Sequence, residues 1–239
     1  MAIRQRRLRE VANRECLFLD AARELICQDG LLNLQMARVA EKCDYAVGTL
    51  YRHFASKEDL LVALSTANMQ HRVDLFRRVA AWKASTRDRM FGFAVADMMF
   101  VRRHPEHFRL AQLASTEVVW NAASPQRRQT SLAASRPLGR IVESVVEEAV
   151  RCGDLKLRGL KPNELCLGAW ALTLGTHDIA HIEGLLEQNN VRDPYRLMLR
   201  HLQHLLNGLE WKPRFDPSNT AALDRKVKRL CREVFDGEL

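Results

Sequence analysis

Apolar residues recur every three or four positions along most of this chain, which is the spacing of one face of an α-helix. Few stretches alternate apolar and polar residues as strands do, and clusters of Gly, Pro, Asn and Asp interrupt the helical pattern. The pattern therefore predicts an all-α protein. The predicted helices are one that ends at Gly30 and others near 36–43, 46–54, 57–82, 86–103, 105–120, 125–152, 162–188, 193–209 and 219–235.

Three short helices followed by a long one form the N-terminal part of this pattern. Only a tight turn, 43–45, separates the second helix from the third, which is the layout of a helix-turn-helix motif. In that motif the second helix of the pair, here 46–54, lies in the major groove of DNA and is called the recognition helix. Ser56 has the position of an N-cap for the next helix, with Asp59 as its capping-box partner.

The predicted recognition helix has an inner and an outer face, with Leu50 and Phe54 turned inward. On the outer face Gly48 lets another backbone approach closely, and hydroxyl, imidazole and guanidinium groups can donate to phosphates or base edges. Lys57 adds a cation beside a helix N-terminus, which favours anions. The predicted DNA-contacting residues are Val47, Gly48, Thr49, Tyr51, Arg52, His53 and Lys57. The alternative is a core helix that happens to carry two aromatic residues.

The segment GLLNLQMARVAEKCDYAVGTLYRHFASKEDLL, residues 30–61, resembles the DNA-binding domain of the TetR/AcrR family of bacterial transcriptional regulators. The resemblance runs without a gap from about residue 18 to residue 64, and T-L-Y-x-H-F followed by S-K-E is its most specific part. It implies a homodimeric repressor or activator that binds double-stranded operator DNA and whose helical C-terminal domain binds a small effector. The family's common DNA-contact positions fall here on Val47, Gly48, Thr49, Tyr51, His53 and Lys57.

Four positions depart from the family's usual pattern. Asp44 replaces the Gly of the turn, and Asp tolerates a left-handed backbone less well than Gly but better than most residues. Ala46 and Val47 replace Ser and Lys, which removes a capping hydroxyl and a phosphate-seeking cation. Leu34 replaces the Thr cap of the second helix, so we expect Asn33 to cap it one residue early. We therefore expect an unusual operator and weaker non-specific binding, since fewer cations release fewer counterions.

The net charge of +8 points weakly to an anionic partner, because the excess is not concentrated near the predicted recognition helix. Residues 1–60 hold 10 Lys and Arg against 9 Asp and Glu, whereas residues 61–239 hold 27 against 20. The exception is an N-terminal basic arm, where Arg4, Arg6, Arg7, Arg9 and Arg14 face only Glu10. We interpret Arg4, Arg6 and Arg7 as further DNA contacts; the alternative is a solvated terminus.

Other function classes receive little support from the sequence. No apolar run is long enough for a membrane span and the N-terminus is unlike a secretory signal, so we expect a cytoplasmic, nucleoid-associated protein without a membrane partner. The six cysteines form no C-x-x-C pair, which favours reduced thiols. HDIAH resembles the zinc-protease motif, and a metal-dependent enzyme using His177 and His181 is a remote alternative. Asp is shorter than the usual Glu and a third ligand is not evident, so we expect no enzyme, metal or cofactor.

We predict a DNA-binding domain at 1–60, a ligand-binding and dimerisation domain at 61–212, and a linker with an amphipathic helix at 213–239. The family resemblance assigns dimerisation to helices 162–188 and 193–209. Their predicted two-fold contacts are Leu165, Ala169, Leu172, Thr176, Leu197, Leu202, Leu205 and Leu206; the alternative is a core within one chain. Met and aromatic side chains suit an adaptable cavity as well as a core. The predicted ligand-binding residues are Phe93, Met98, Glu117, Trp120, Trp170 and His177.

These features together predict a repressor that a small, largely apolar ligand releases from a palindromic operator. The signal would pass through the predicted helix 57–82, which follows the recognition helix directly. The alternative is a ligand-independent DNA-binding protein whose helical domain docks a protein partner.

Overall fold

The computed structural model describes residues 2–237 and, within the first helix, the side chains of residues 5, 6 and 9 onward. All regular elements in this part of the chain are helices, which confirms the predicted all-α class. A short 3-10 helix, Leu31–Asn33, follows the first of them. The α-helices are α1 (Ala2–Asp29), α2 (Met36–Lys42), α3 (Val47–Tyr51), α4 (Lys57–Ala67), α5 (Met69–Ala80), α6 (Thr86–Arg103), α7 (Pro105–Ala114), α8 (Glu117–Ala122), α9 (Pro125–Arg151), α10 (Pro162–Ala180), α11 (Leu185–Gln188), α12 (Pro194–Gly208) and α13 (Thr220–Val234).

The N-terminal basic arm is helical and continuous with α1. The apolar stripe of this helix begins only at Leu17, but the helix itself begins at Ala2. Arg6 donates a hydrogen bond to Glu10 at 2.9 Å, and such i,i+4 pairs stabilise an exposed helix. The basic residues of the arm therefore follow the helical repeat of α1.

Three predicted helices are each divided in two. The first break is at Asn68, the C-cap of α4, within the predicted helix 57–82. The second is at Thr116, whose hydroxyl accepts a hydrogen bond from Val119 N and caps α8. The third lies between α10 and α11, where Gly184 adopts a left-handed conformation with φ 81°. Apolar periodicity continues across each break, so the pattern alone does not reveal them.

The chain forms two compact units. Unit 1 consists of Met1–Met69 and Glu106–Ala134, and unit 2 consists of Gln70–Pro105 and Ser135–Leu239. These units have other limits than the domains predicted from the sequence, whose boundaries lie at residues 60 and 212. The predicted domains stay a prediction. Unit 1 includes α8 and the first part of α9, which are far from α1–α4 in the sequence. Local sequence patterns do not predict such an association of distant segments.

Unit 1 has a core that orients the helix-turn-helix region. Phe18 of α1, Leu50 of α3 and Phe54 are fully buried, and Leu60 and Leu64 of α4 pack in the same cluster. Full burial of one such side chain contributes about 1.5–3 kcal/mol, so several together hold a short helix that has little stability of its own.

Unit 2 is built around α6, of which 15 of 18 residues are buried. A helix buried on nearly all sides must be covered by neighbours on each face. The C-terminal helix α13 is one of them, and it contributes Leu223, Leu230 and Val234 to the core. The apolar side of the predicted C-terminal amphipathic helix thus packs in the core of unit 2. Among the described helices, none is both long enough and apolar enough to cross a lipid bilayer.

Candidate nucleic-acid interface

The predicted recognition helix corresponds to α3, which is shorter than the predicted 46–54. Asp44 turns the chain before it with φ 57°, which is the left-handed conformation that this position requires. Ala46 is the N-cap and makes no side-chain cap bond, as the missing hydroxyl predicts. Beyond the helix, Phe54 N still donates to Leu50 O at 3.0 Å, so the chain continues as a turn. The inward positions of Leu50 and Phe54 are confirmed, since both are fully buried.

The outer face of α3 and its C-cap carries Val47, Gly48, Tyr51 and Arg52, all exposed. Tyr51 is 49% exposed, which leaves its phenol accessible to a partner. A β-carbon at Gly48 would meet no heavy atom within 4 Å, so there is open space around the backbone at this position. Thr49 is half-buried and accepts a hydrogen bond from Arg52 Nη2 at 3.0 Å. These predicted contact residues share one accessible surface, and their contact with DNA stays a prediction.

His53 belongs partly to the core of unit 1. Its ring makes an edge contact with Phe18 at 5.4 Å between centroids and is half-buried. Burial lowers the pKa of His53, and the cations Arg14, Arg52 and Arg127 act in the same direction, while Glu15 opposes them. The imidazole therefore favours its neutral form, which can donate one hydrogen bond to a phosphate but carries no charge.

The predicted cationic contacts occupy different settings. Lys57 Nζ donates to Leu32 O at 3.2 Å, so this side chain is engaged with the 3-10 helix after α1. Arg6 is 83% exposed and pairs with Glu10. The side chains of Arg4 and Arg7 lie outside the described residues. Of the predicted arm contacts, the structure thus describes only the side chain of Arg6.

An additional cation beside α3 was not among the predicted contacts. The Arg14 guanidinium lies 5.5 Å from the centroid of the Tyr45 ring, and this ring in turn packs edge-on against Phe18. The contact places a half-buried arginine next to the turn that precedes α3. The basic arm contained this residue, but only the fold shows which aromatic ring it meets.

The local capping predictions have mixed outcomes. Ser56 is confirmed as the N-cap of α4, since its hydroxyl accepts from Asp59 N at 3.2 Å. The Asp59 carboxylate reaches Ala55 N at 3.1 Å rather than the backbone of Ser56. The predicted cap at Asn33 is wrong: its amide donates to Asp29 O at 2.7 Å and so caps the end of α1. The N-cap of α2 is Gln35, without a side-chain cap bond.

The six predicted ligand-binding residues lie on different helices of the two units. Glu117 and Trp120 lie on α8 in unit 1, where Glu117 is exposed. Trp170 is 62% exposed on α10. Phe93, Met98 and His177 are buried in unit 2. The six residues are therefore divided between two units and between buried and exposed positions, and their contact with a ligand stays a prediction.

A polar cluster surrounds His177 in the interior of unit 2. Its Nε2 lies 3.3 Å from Asp97 Oδ2 and its Nδ1 lies 3.5 Å from the Tyr195 hydroxyl. Arg72 donates to Asp97 Oδ1 at 2.5 Å and 3.1 Å. Burial alone would raise the pKa of Asp97, but Arg72 and the hydrogen bond from His177 outweigh it and lower this pKa to about 2. The sequence reasoning identified only His177 of this cluster.

The arrangement of His177 and His181 does not resemble a zinc-protease site. His181 Nδ1 lies 2.8 Å from the backbone oxygen of His177, whereas both His177 ring nitrogens face Asp97 and Tyr195. The two rings thus have separate partners and do not converge on one point.

Unit 2 contains a cleft of about 410 Å³ whose lining includes none of the predicted ligand-binding residues. It is lined by Arg78, Ala81, Trp82, Lys83, Glu233 and Val234. Two of these lining residues are bonded to each other, since Trp82 Nε1 donates to Glu233 at 2.9 Å, and the Arg229 guanidinium lies over the same indole.

Half of the residues predicted to contact a second copy are instead buried within the chain. Leu165, Ala169, Leu202 and Leu206 belong to the core of unit 2. Three exposed apolar residues of α10, Leu167, Trp170 and Leu174, lie on another face, and Ile179 near the end of the helix is exposed as well. We call these three residues the α10 face.

Comparison with known proteins supports the reading of the N-terminal region. The model of the family "Bacterial regulatory proteins, tetR family" matches residues 18–64. The fatty acid metabolism regulator protein of Bacillus subtilis strain 168 is 23% identical over 145 residues, which are 58% of this chain and 69% of that protein. The transcriptional repressor KstR of Rhodococcus jostii strain RHA1 is 53% identical over 45 residues, which are 19% of this chain and 21% of KstR.

A solved structure extends the similarity of fold to most of the chain. The transcriptional regulator FadR from Bacillus subtilis, solved in complex with stearoyl-CoA, is 19% identical, with a TM-score of 0.59. The match covers 81% of this chain and 98% of FadR, and at this identity it concerns the fold alone. Residues 18–64 thus match the tetR family of bacterial regulatory proteins, and most of the chain shares the all-helical fold of solved TetR/AcrR-family regulators.

Proposed function

We propose that the protein is a homodimeric repressor that binds a palindromic operator through the α3 helix of each copy and that a small, largely apolar ligand releases. The observation that carries the DNA-binding part is the division of one short segment into two faces. Leu50 and Phe54 are fully buried, while Val47, Tyr51 and Arg52 are exposed on the opposite side. Such a helix offers donors and an apolar group to phosphates and base edges.

The α10 face supports the homodimer. Leu167, Trp170 and Leu174 are 56%, 62% and 42% exposed and are spaced by three and four residues, so they lie on one side of α10. Exposed aromatic residues of this kind are enriched in interfaces between proteins. A second copy that covers this face gives a symmetric contact, in which the same residues of both copies take part.

The ligand class is inferred from the relatives and from the composition of unit 2. One relative is named a fatty acid metabolism regulator, and FadR was solved with stearoyl-CoA. The core of unit 2 is rich in adaptable Met and aromatic side chains, among them Phe93, Met98 and Met99. These features favour an effector with a long apolar part. The repressor would act in the cytoplasm, associated with the nucleoid while bound to DNA.

The first test is selection of bound duplexes from a random DNA pool by the purified protein at two salt concentrations. We expect a sequence with two inverted half-sites about 34–36 Å apart, or a multiple of this distance, because each copy contributes one recognition helix. The selected duplex is then titrated with acyl-CoA thioesters of different chain length. Recovery of unrelated sequences, with binding lost as salt rises, would mean purely electrostatic attachment and would contradict the proposal.

A further inference from the structure

The segment that follows α3 is held by a side chain from the start of α9. Arg127 Nη2 donates to the backbone oxygen of His53 at 3.2 Å. The same guanidinium lies 5.1 Å from the centroid of the Phe54 ring, and its Nη1 donates to Glu15 Oε1 of α1 at 2.8 Å. One arginine thus contacts the end of the recognition segment, the aromatic residue that anchors it, and the first helix of unit 1.

Asp59 holds the same segment at its next backbone group. Its carboxylate is buried and accepts hydrogen bonds from Ala55 N at 3.1 Å and from Ser124 N at 2.6 Å. Ser124 also caps α9, since its hydroxyl accepts from Arg127 N at 3.3 Å. Residues 124–127 are therefore linked to residues 53–55 through backbone groups and two charged side chains.

Such links matter because α3 has only five residues. A helix this short has little intrinsic stability and takes its orientation from its surroundings. The side chains of Arg127 and Glu15 are only 17% and 28% exposed, so solvent screens their attraction less than that of a surface pair. A planar guanidinium that bonds in two directions and stacks on a ring restrains orientation as well as distance.

We propose that Arg127 is a positioning residue for DNA recognition, which sets the orientation in which α3 presents Val47, Tyr51 and Arg52 to the major groove. This inference rests on the proposed function. Arg127 acts through His53, Phe54 and Glu15 and not through a phosphate. Its removal should therefore impair recognition of sequence without changing the number of counterions that DNA binding releases.

The experiment compares Arg127→Ala with Arg128→Ala on the duplex that the wild-type protein selects from a random pool. Both changes remove one positive charge from the same turn, so long-range attraction to DNA falls equally. Arg128 makes none of the three Arg127 contacts described above. Affinity is measured by fluorescence anisotropy over a range of salt concentrations, with an unrelated duplex of equal length as a second probe. A stoichiometric titration gives the active fraction of each variant.

We expect Arg127→Ala to bind the selected duplex about tenfold more weakly than Arg128→Ala, as the loss of about 1.4 kcal/mol of charge-assisted hydrogen bonding would produce. After correction for the active fraction, the two variants should bind the unrelated duplex with equal affinity. The slope of log affinity against log salt concentration should also be the same for both. Equal affinity of the two variants for the selected duplex would overturn the inference.

A second pair of variants covers the case in which Arg127→Ala does not fold. Arg127→Lys keeps the charge but cannot bond Glu15 and His53 while stacking on Phe54, so we expect an affinity between those of wild type and Arg127→Ala. Arg128→Lys is its control, and equal affinity of the two lysine variants overturns the inference. If the wild-type protein selects no common sequence, the proposed function fails and the inference falls with it. If it does select one, the variants test Arg127 alone.

Discussion

Asp97 is a buried carboxylate whose charge is balanced inside unit 2. Its side chain is 11% exposed and lies between Arg72 on α5 and His177 on α10. Removal of a carboxylate from water is costly unless an opposite charge and hydrogen bonds replace the lost hydration. Arg72 and His177 supply both, and they hold the pKa of Asp97 near 2 in spite of burial. The charged form is therefore favoured by the fold.

Asp97→Asn should lower the free energy of unfolding at neutral pH by about 3 kcal/mol, because it leaves the partly buried Arg72 without its counter-charge. The pKa of Asp97 is about 2 in the folded protein against an ordinary value of 3.8. Asp97 should therefore contribute about 2 kcal/mol to the free energy of unfolding of the wild-type protein above pH 3.8, and this contribution should disappear as the pH falls through 2. Asparagine does not titrate, so the variant does not lose stability in this way. The difference in free energy of unfolding between the two proteins should therefore become smaller on acidification. Urea unfolding at several pH values measures both quantities.

Asp74→Asn is the matched control for this change. Asp74 is 55% exposed and pairs with Arg77 on the surface of α5, so its substitution should change the free energy of unfolding by less than about 0.5 kcal/mol. An Asp97→Asn protein as stable as this control would show that the cluster contributes no net stability. A difference in stability between wild type and Asp97→Asn that does not vary with pH would contradict the lowered pKa of Asp97.

At the scale of elements, close packing in unit 2 depends on Gly92 of α6. A β-carbon at this position would lie 2.8 Å from Val79 Cγ1 and 3.3 Å from Leu230 Cδ1. Val79 belongs to α5 and Leu230 to α13, so the glycine lets two helices approach the central one. The Val79 methyl is on a short, branched side chain that cannot move aside at low cost.

Gly92→Ala should therefore destabilise the protein by about 1 kcal/mol, since overpacking outweighs the gain in helix propensity from replacing a glycine. Gly139→Ala is the control, because Gly139 is exposed in α9 and an added β-carbon there meets no heavy atom within 4 Å. It should stabilise the protein by up to about 1 kcal/mol. Thermal unfolding followed by circular dichroism shows whether each substitution raises or lowers stability. A stabilising Gly92→Ala would disprove the packing argument.

The elements that the sequence predicted best are those that local rules decide. The turn at Asp44, the cap at Ser56 and the buried side of α3 all follow from the types of neighbouring residues. The apolar stripe of α12 showed that Leu202 and Leu206 are buried but not which chain buries them, and the structure assigns them to one chain. The contact of Arg127 with the segment after α3 was not predicted, because the residue it bonds, His53, is 74 positions away in the sequence.

At the scale of the whole molecule, the α10 face distinguishes a monomer from a dimer. Leu167, Trp170 and Leu174 are exposed apolar residues on one side of one helix. Val118 on α8 is 80% exposed but belongs to unit 1, so exposure alone does not single out an interface. The regular spacing of the α10 face and its large aromatic residue are what favour a second copy as its partner.

If the proposed dimer forms through the α10 face, Trp170→Glu should convert it to a monomer, because burial of an unpaired carboxylate at both ends of a symmetric contact is costly. Val118→Glu introduces the same charge at an exposed apolar site and should remain dimeric. Sedimentation velocity measures the mass of each variant at several protein concentrations. On DNA, the monomer has one recognition helix and should bind a duplex with one half-site as tightly as a duplex with two, whereas Val118→Glu should prefer two. A dimeric Trp170→Glu protein would remove the α10 face from the interface and direct the search to another surface.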